Sequence, residues 1–389
     1  MTLPIPWPAG DETQLWNVKL HRLAARLSAG NGNSVSAVAY SANGSFVAAV
    51  TDSGTQLWNV AESSSLVATF PAGNSNSNDA PTAVAFSPDG AFMATTTGSI
   101  WLANLNSSTV TGGTASTAFA TLQAGTDVST VVFSPDGSLL AAETEQGVQL
   151  WNVTKHRLVA TLRGSTVSSV TFSPDSSLLA AGTDDGTQLW NVTNHRLVAT
   201  LQGSTVSSVT FSPDGSLLAD AAGSVIQTWK APTRKLLTTL PYVSEGGATS
   251  LAFSPDGSLL AIVAGAADIK LWSVSASKYL SALPVSPYNV SFGPSKMIML
   301  TADDSSVELW DPVTGQQLDK FVPPAGGEDA ALNHNGMLLA IASGKAIQLW
   351  PVPYVGNTAS YLCELAGESF PRAEWTQYAP GVPYMQTCP

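Results

Sequence analysis

With 389 residues, 44% of them hydrophobic, the chain can bury a large core, but only 11% is charged, so Ser, Thr, Asn, Gln and Gly must supply the polar surface. A formal charge of −12 argues against nucleic acid and against an anionic membrane as partner, since both require Lys and Arg. No apolar run approaches the ~18–20 residues of a spanning helix, and two cysteines are too few for a disulfide scaffold.

Residues 1–12 form a lead with neither the basic start nor the apolar centre of a signal peptide. "TQLWNVKLHRLAARL" (13–27) reads as two strands around a turn. Trp16 opens a series that continues through Trp58, Trp101, Trp151, Trp190, Trp229, Trp272, Trp310 and Trp350, at intervals of 38 to 50 residues. Residues 166–201 show the unit behind that period. "TVSSVTFS" alternates, "PDS" turns the chain, and "SLLAAGT" is an apolar run fit for a strand buried on both faces. "DDG" turns again, "TQLWNV" follows, and after "TNH" the segment "RLVATL" alternates as an outer strand.

Complete units begin near Val35, Thr82, Val128, Val167, Val206, Thr249, Tyr288 and Asp329. Four short strands per unit of about forty residues predict a β-propeller, because a lone sheet with two apolar faces is buried only by its neighbours. The expected architecture is all-β: eight four-stranded blades over 28–366, with 13–27 as a spare hairpin closing the ring on blade eight. The alternative is nine units with a degraded first one.

"FSPDGSLLA…TQLWNV" resembles the WD-repeat β-propeller family over roughly residues 14–366. Most units end in Trp-Asn; only Trp310-Asp311 matches the family's dipeptide, and the family's Gly-His before the first strand is replaced by "RGST" (163–166) and "QGST" (202–205). The resemblance therefore implies blades held more by packing than by the family's internal hydrogen-bond network.

In that family the second-to-third turns and the links between blades share one face. The resemblance places Asp52, Asp184, Asp185, Asp268, Asp303 and Asp304 there, with Glu143, Glu145 and Asp329 among further carboxylates. This face is expected to bind a protein partner carrying a basic patch; turn chemistry alone also favours Asp at such places. The opposite face collects Lys19, His21, Arg22, Lys155, His156, Arg157, His195, Arg196, Lys230, Arg234, Lys235 and Lys278, beside the Asp of each "SPD" turn. His21, His156 and His195 occupy equivalent places on different blades, too far apart for one tetrahedral metal site. No catalytic or phosphate-binding motif is present, so no enzyme activity, cofactor or metal is expected. Two polar interruptions, 71–81 and 104–117, are further candidates for binding loops.

The last stretch, 360–389, has no blade pattern. Cys363, "RAEW" (372–375) and "GVPYMQTC" (381–388) resemble the end of WD-repeat regions in actinobacterial multidomain signalling proteins. Cys363 falls where the last outer strand is expected. It can bridge to Cys388 or stay a free thiol, and Trp375 would anchor the tail as a clasp on the ring's seam. The expected function is a non-enzymatic protein–protein interaction scaffold or sensor module, which the tail resemblance would place in a bacterial signalling assembly. A lectin-like ligand-binding propeller and a hydrolase with its site in the central channel are the alternatives. The expected location is cytoplasmic, or extracellular for a longer exported chain.

Overall fold

A computed structural model describes residues 25–352, except 30–33, 61–64, 72–82, 97–98, 106–118, 125–127, 241–246, 265–267, 284, 286, 288, 294–298, 304, 324–328, 334–335 and 337. These residues form eight four-stranded antiparallel sheets. Seven blades are contiguous: 35–71, 84–122, 131–162, 167–202, 206–240, 248–283 and 289–321. In each, the strands lie side by side in chain order, the first lining the central channel and the fourth forming the rim.

Blade four shows why the sequence folds this way. Its second strand, Leu178–Thr183, is buried from its second residue onward because blades pack on both of its faces. Alanines let neighbouring sheets approach closely: Ala48, Ala94, Ala141, Ala180, Ala219, Ala261 and Ala340 hold the same place in seven blades and are fully buried. The core is therefore a set of layers between blades. Ala180, Leu189 and Leu201 of blade four meet Val206, Val209, Leu218 and Trp229 of blade five in one such layer. Truncating a side chain like Leu189 to Ala costs ~2–5 kcal/mol.

The repeated "FSPDGSLL" proves to be a turn device. Ser173 Oγ donates to Asp175 Oδ1 at 2.6 Å and accepts the Leu178 N–H at 2.9 Å, and Asp175 Oδ1 also takes the Ser177 N–H at 3.1 Å. Ser212, Asp214 and Leu217 repeat the arrangement, as do Ser134, Asp136 and Leu139. Asp89, Asp175 and Asp214 are held below the usual carboxylate range, first by the serine hydroxyl and then by backbone N–H donors. The residue after tryptophan has a similar task at the rim. Asn152 Oδ1 accepts the Lys155 N–H at 2.8 Å, Asn191 Oδ1 that of Asn194 at 3.0 Å, and Asp311 Oδ1 that of Val313 at 2.8 Å. Asn and Asp both supply the acceptor oxygen, so Trp-Asn replaces Trp-Asp without loss of the turn. Glycine is needed in the turn before the third strand: Gly186 has φ +117°, and a Cβ there would collide with the Leu201 carbonyl oxygen.

Packing outweighs polar networks at most tryptophans. The indole N–H groups of Trp58, Trp151 and Trp310 are buried without a partner among the described residues. Blades four and five are an exception. Trp229 Nε1 and Thr187 Oγ1 both donate to Asp220 Oδ2, at 3.0 and 2.8 Å, in the layer between them. Burial raises the Asp220 carboxyl to about 6 despite these two bonds. Thr55 and Thr95 make the corresponding link between blades one and two at 2.5 Å.

Blade eight is composite. Asp329–Leu332, Leu338–Ser343 and Ala346–Pro351 come from the end of the described chain, and Ala25–Ser28 pairs on the outside, with Ala25 opposite Leu349 and Leu27 opposite Ile347. This corrects the expectation of an outer strand around Cys363: the outer edge of Ala346–Pro351 is taken by the other end of the chain. Residues 25–27 of the expected hairpin pair with blade eight; 13–24, Cys363, Cys388 and Trp375 lie outside the described residues. Blades eight and one also touch directly, through Val35 N–H to Gly344 O at 2.7 Å.

Candidate functional site

Antiparallel order sends the second-to-third turns to one face and the third-to-fourth turns to the other. On the first face the turns after the second strands present Asp52, Glu145, Asp184 and Asp185, all exposed. Asp268 opens the third strand of blade six, and Asp303 follows the second strand of blade seven, both half-buried. Asp304 lies outside the described residues. These carboxylates share a face but stand on blades one, three, four, six and seven, spaced around the ring.

Part of this acidity serves the turns. Asp303 Oδ1 accepts the N–H groups of Ser305 and Ser306, each at 2.7 Å. Asp52 Oδ2 takes the Ser34 N–H at 2.9 Å, and Asp185 takes the Ser165 hydroxyl. Asp184 makes no such contact among the described residues. Two carboxylates assigned to this face from sequence are elsewhere. Glu143 is buried within the second strand of blade three, its carboxyl pushed up by burial. Asp329 is on the channel wall: its Oδ2 accepts the Val38 N–H of blade one at 2.9 Å, and burial raises its carboxyl to about 6.

Asp329 belongs to a ring of corresponding first-strand positions: Ala37, Ser169, Ser208, Ser250 and Asn289 have the same register within their blades. Ser169 Oγ takes the Val209 N–H of the next blade at 3.2 Å, the task Asp329 performs at the seam. Ser250 Oγ donates to Asn289 Oδ1 at 3.0 Å. Beside Asn289 and Asp329 the channel widens into a cavity of about 570 Å³, lined also by Phe292 and Asn333. The sequence reading missed this channel carboxylate, because the alternation that would turn it inward is visible only once the register is known.

On the second face the third-to-fourth hairpins of blades three to six carry Lys155, His156, Arg157, His195, Arg196, Lys230, Arg234, Lys235 and Lys278. His156 and His195 stand on adjacent blades at the same turn position, as expected. Among the described residues no group of three or more His, Cys, Asp or Glu could hold a metal ion. Among them, too, no helix is long and apolar enough to cross a membrane.

The WD domain, G-beta repeat family matches residues 23–59, 156–191, 195–229 and 234–273. Each match begins at or near the outer strand of one blade and continues through the three inner strands of the next, so the first match spans the seam. A crystal structure of the computationally designed Ika8 protein is similar to this chain with a TM-score of 0.67 and 17% identity, over 84% of this chain and 98% of that one. No curated protein matches the chain. The eight four-stranded sheets make this protein an eight-bladed β-propeller, and four of its units match the WD repeat.

Proposed function

We propose that the ring is a non-enzymatic interaction scaffold whose acidic face receives a protein partner with a basic patch. The observation that carries this reading is the set of exposed carboxylates on the second-to-third turns, Asp52, Glu145, Asp184 and Asp185, on a rigid frame. Such charge steers a basic partner and sets the salt dependence of its capture. The test replaces Asp184 and Asp185 by Asn, with Asp303→Asn as a control whose carboxylate is engaged in its own turn. Capture of a basic partner should weaken and lose salt dependence in D184N/D185N, and change less in D303N. Unaltered affinity and salt response in D184N/D185N would leave these residues as turn formers only. A place in a bacterial signalling assembly belongs to the same proposal and rests on the resemblance of 360–389.

The channel cavity favours a second reading, a small-ligand site. Asn289 and Asp329 offer polar atoms at its wall and Phe292 an apolar one. Among the described residues its lining holds one titratable group, Asp329, whereas paired acid–base chemistry needs two.

A further inference from the structure

We propose that the rim of blades three to six, on the face opposite the acidic turns, is a second docking surface, for an acidic protein segment bearing leucines. Four adjacent hairpins, 152–158, 191–197, 230–237 and 273–280, hold Lys155, Arg157, Arg196, Lys230, Arg234, Lys235 and Lys278 and not one Asp or Glu. These are seven of the 16 Lys and Arg residues in a chain of net charge −12. All seven are exposed, and none has an ion pair among the described residues. The acceptor that shapes the turn is neutral in blades three and four, Asn152 and Asn191, so no carboxylate offsets the charge there. On the same face Asp136, Asp175 and Asp214 lie inward, each bonded within its own first-to-second turn.

Apolar surface accompanies the charge. Leu158, Leu197, Leu236, Leu237 and Leu280 on the same outer strands are 40–50% exposed. Basic groups interleaved with leucines fit an acidic segment with leucines of its own, by charge complementarity and apolar burial together. The turn backbone points the same way. His156, His195, Arg234 and Ser277 take φ of 49–59° at one turn position, where blade seven has Gly315 at +70°. A side chain is kept there in three of the four hairpins as His or Arg, against the steric preference for glycine.

Protection of a free strand edge is the simpler explanation of rim lysines, and it fails on distribution. Blade seven has an outer strand of the same kind, Gln316–Phe321, with a hairpin free of cations and a single lysine, Lys320, that is paired with Glu308 at 2.7 Å. The third-to-fourth ladders of blades three to seven also carry a bulge beside the tryptophan, which already disfavours pairing with another strand. The occupant is therefore read by side chains and does not add a strand.

The experiment uses the full chain and a fluorescein-labelled 20-residue peptide of leucine and glutamate, followed by anisotropy at low and at 300 mM salt. We expect micromolar binding that weakens at least tenfold in K155E/R157E/R234E/K235E and about threefold in L158S/L197S/L236S, with D184N/D185N unchanged. Single-blade reversals, K155E/R157E and R234E/K235E, keep the test valid should the fourfold variant fold poorly; each should weaken binding severalfold while the melting temperature holds. Absence of peptide binding would overturn the proposal. So would equal binding of poly-glutamate with no effect of the serine variant, which is plain ion exchange. Tighter, reversal-sensitive binding of duplex RNA or of phosphatidylserine vesicles would assign the rim to those ligands instead. Self-association of the wild type that the reversals abolish would make the occupant a second copy. Because D184N/D185N tests the acidic face separately, either face can fail alone.

Discussion

Blades four and eight have the same four strands in the same order but are assembled from different parts of the chain. In blade four the outer strand, Arg196–Gln202, follows its neighbour through a hairpin. In blade eight the corresponding strand is Ala25–Ser28, more than three hundred residues from the strand it pairs with. Leu201 and Leu27 sit at equivalent points, opposite Thr187 and Ile347, and both are buried. Local packing is thus matched, while the chain entropy lost on pairing is far greater in blade eight, since the contact closes a loop of nearly the whole ring. At the seam Ala29 N–H bonds to Lys345 O at 3.0 Å and Gln56 Nε2 of blade one to Ala29 O at 3.1 Å; the second contact recurs between blades two and three, as Gln149 Nε2 to Ala124 O at 2.9 Å.

The sharpest way to break this comparison is to remove residues 1–28. The ring should open at blade eight, the melting temperature should fall by well over 10 °C, and amides of 338–351 should lose protection from hydrogen exchange. A truncated chain that melts like the parent would refute closure by the N-terminal strand. Next in size is the pair Leu27→Ala and Leu201→Ala. Each should cost ~2–5 kcal/mol. Only Leu27→Ala should also sharpen proteolysis at the seam, because its strand has no hairpin to re-form from; equal protease sensitivity would show that connectivity does not matter.

A smaller effect is expected between blades four and five. Asp220→Ala leaves the buried Trp229 N–H and Thr187 hydroxyl without their shared acceptor, at ~1–3 kcal/mol. Thr95→Val, at the link to Thr55, should cost about 1 kcal/mol, and a reversal of that order would remove the special standing of Asp220. The smallest effects are those of pH. Asp220 and Asp329 are raised from 3.8 to about 6, so the folded state holds more protons than the unfolded one between those values. Their contribution is present in full below 3.8 and is lost as pH rises through about 6. The turn carboxylates Asp89, Asp175 and Asp214 are shifted downward and act in the opposite sense, losing their contribution as pH falls from 3.8 through their lower folded values. Melting temperatures should therefore peak in mildly acidic buffer. D220N/D329N should flatten the decline between pH 4 and 7 and leave the acid limb in place; an unaltered decline would place its origin in other groups.

The strand content, the turns and the number of blades were legible in the sequence, because short-range rules set them. Alternation marks a strand, "SPDG" marks a turn whose serine and aspartate bond to residues at most five positions away, and the recurrent tryptophan marks the period. The charged hairpins were legible too, since a hairpin's end of the sheet follows from strand order alone. What only the tertiary structure decided depends on contacts between distant residues. Asp329 reads as one more turn carboxylate until its register against Ala342 and its bond to Val38 set it on the channel wall. Asp220 lies in an apolar run, and its partner Thr187 is in another blade. The outer strand of blade eight looked local, near Cys363, while its occupant is Ala25–Ser28. A closed ring must join its two ends, and a repeat in the sequence does not say which strand crosses that join; the free energy of sealing the last exposed edge does.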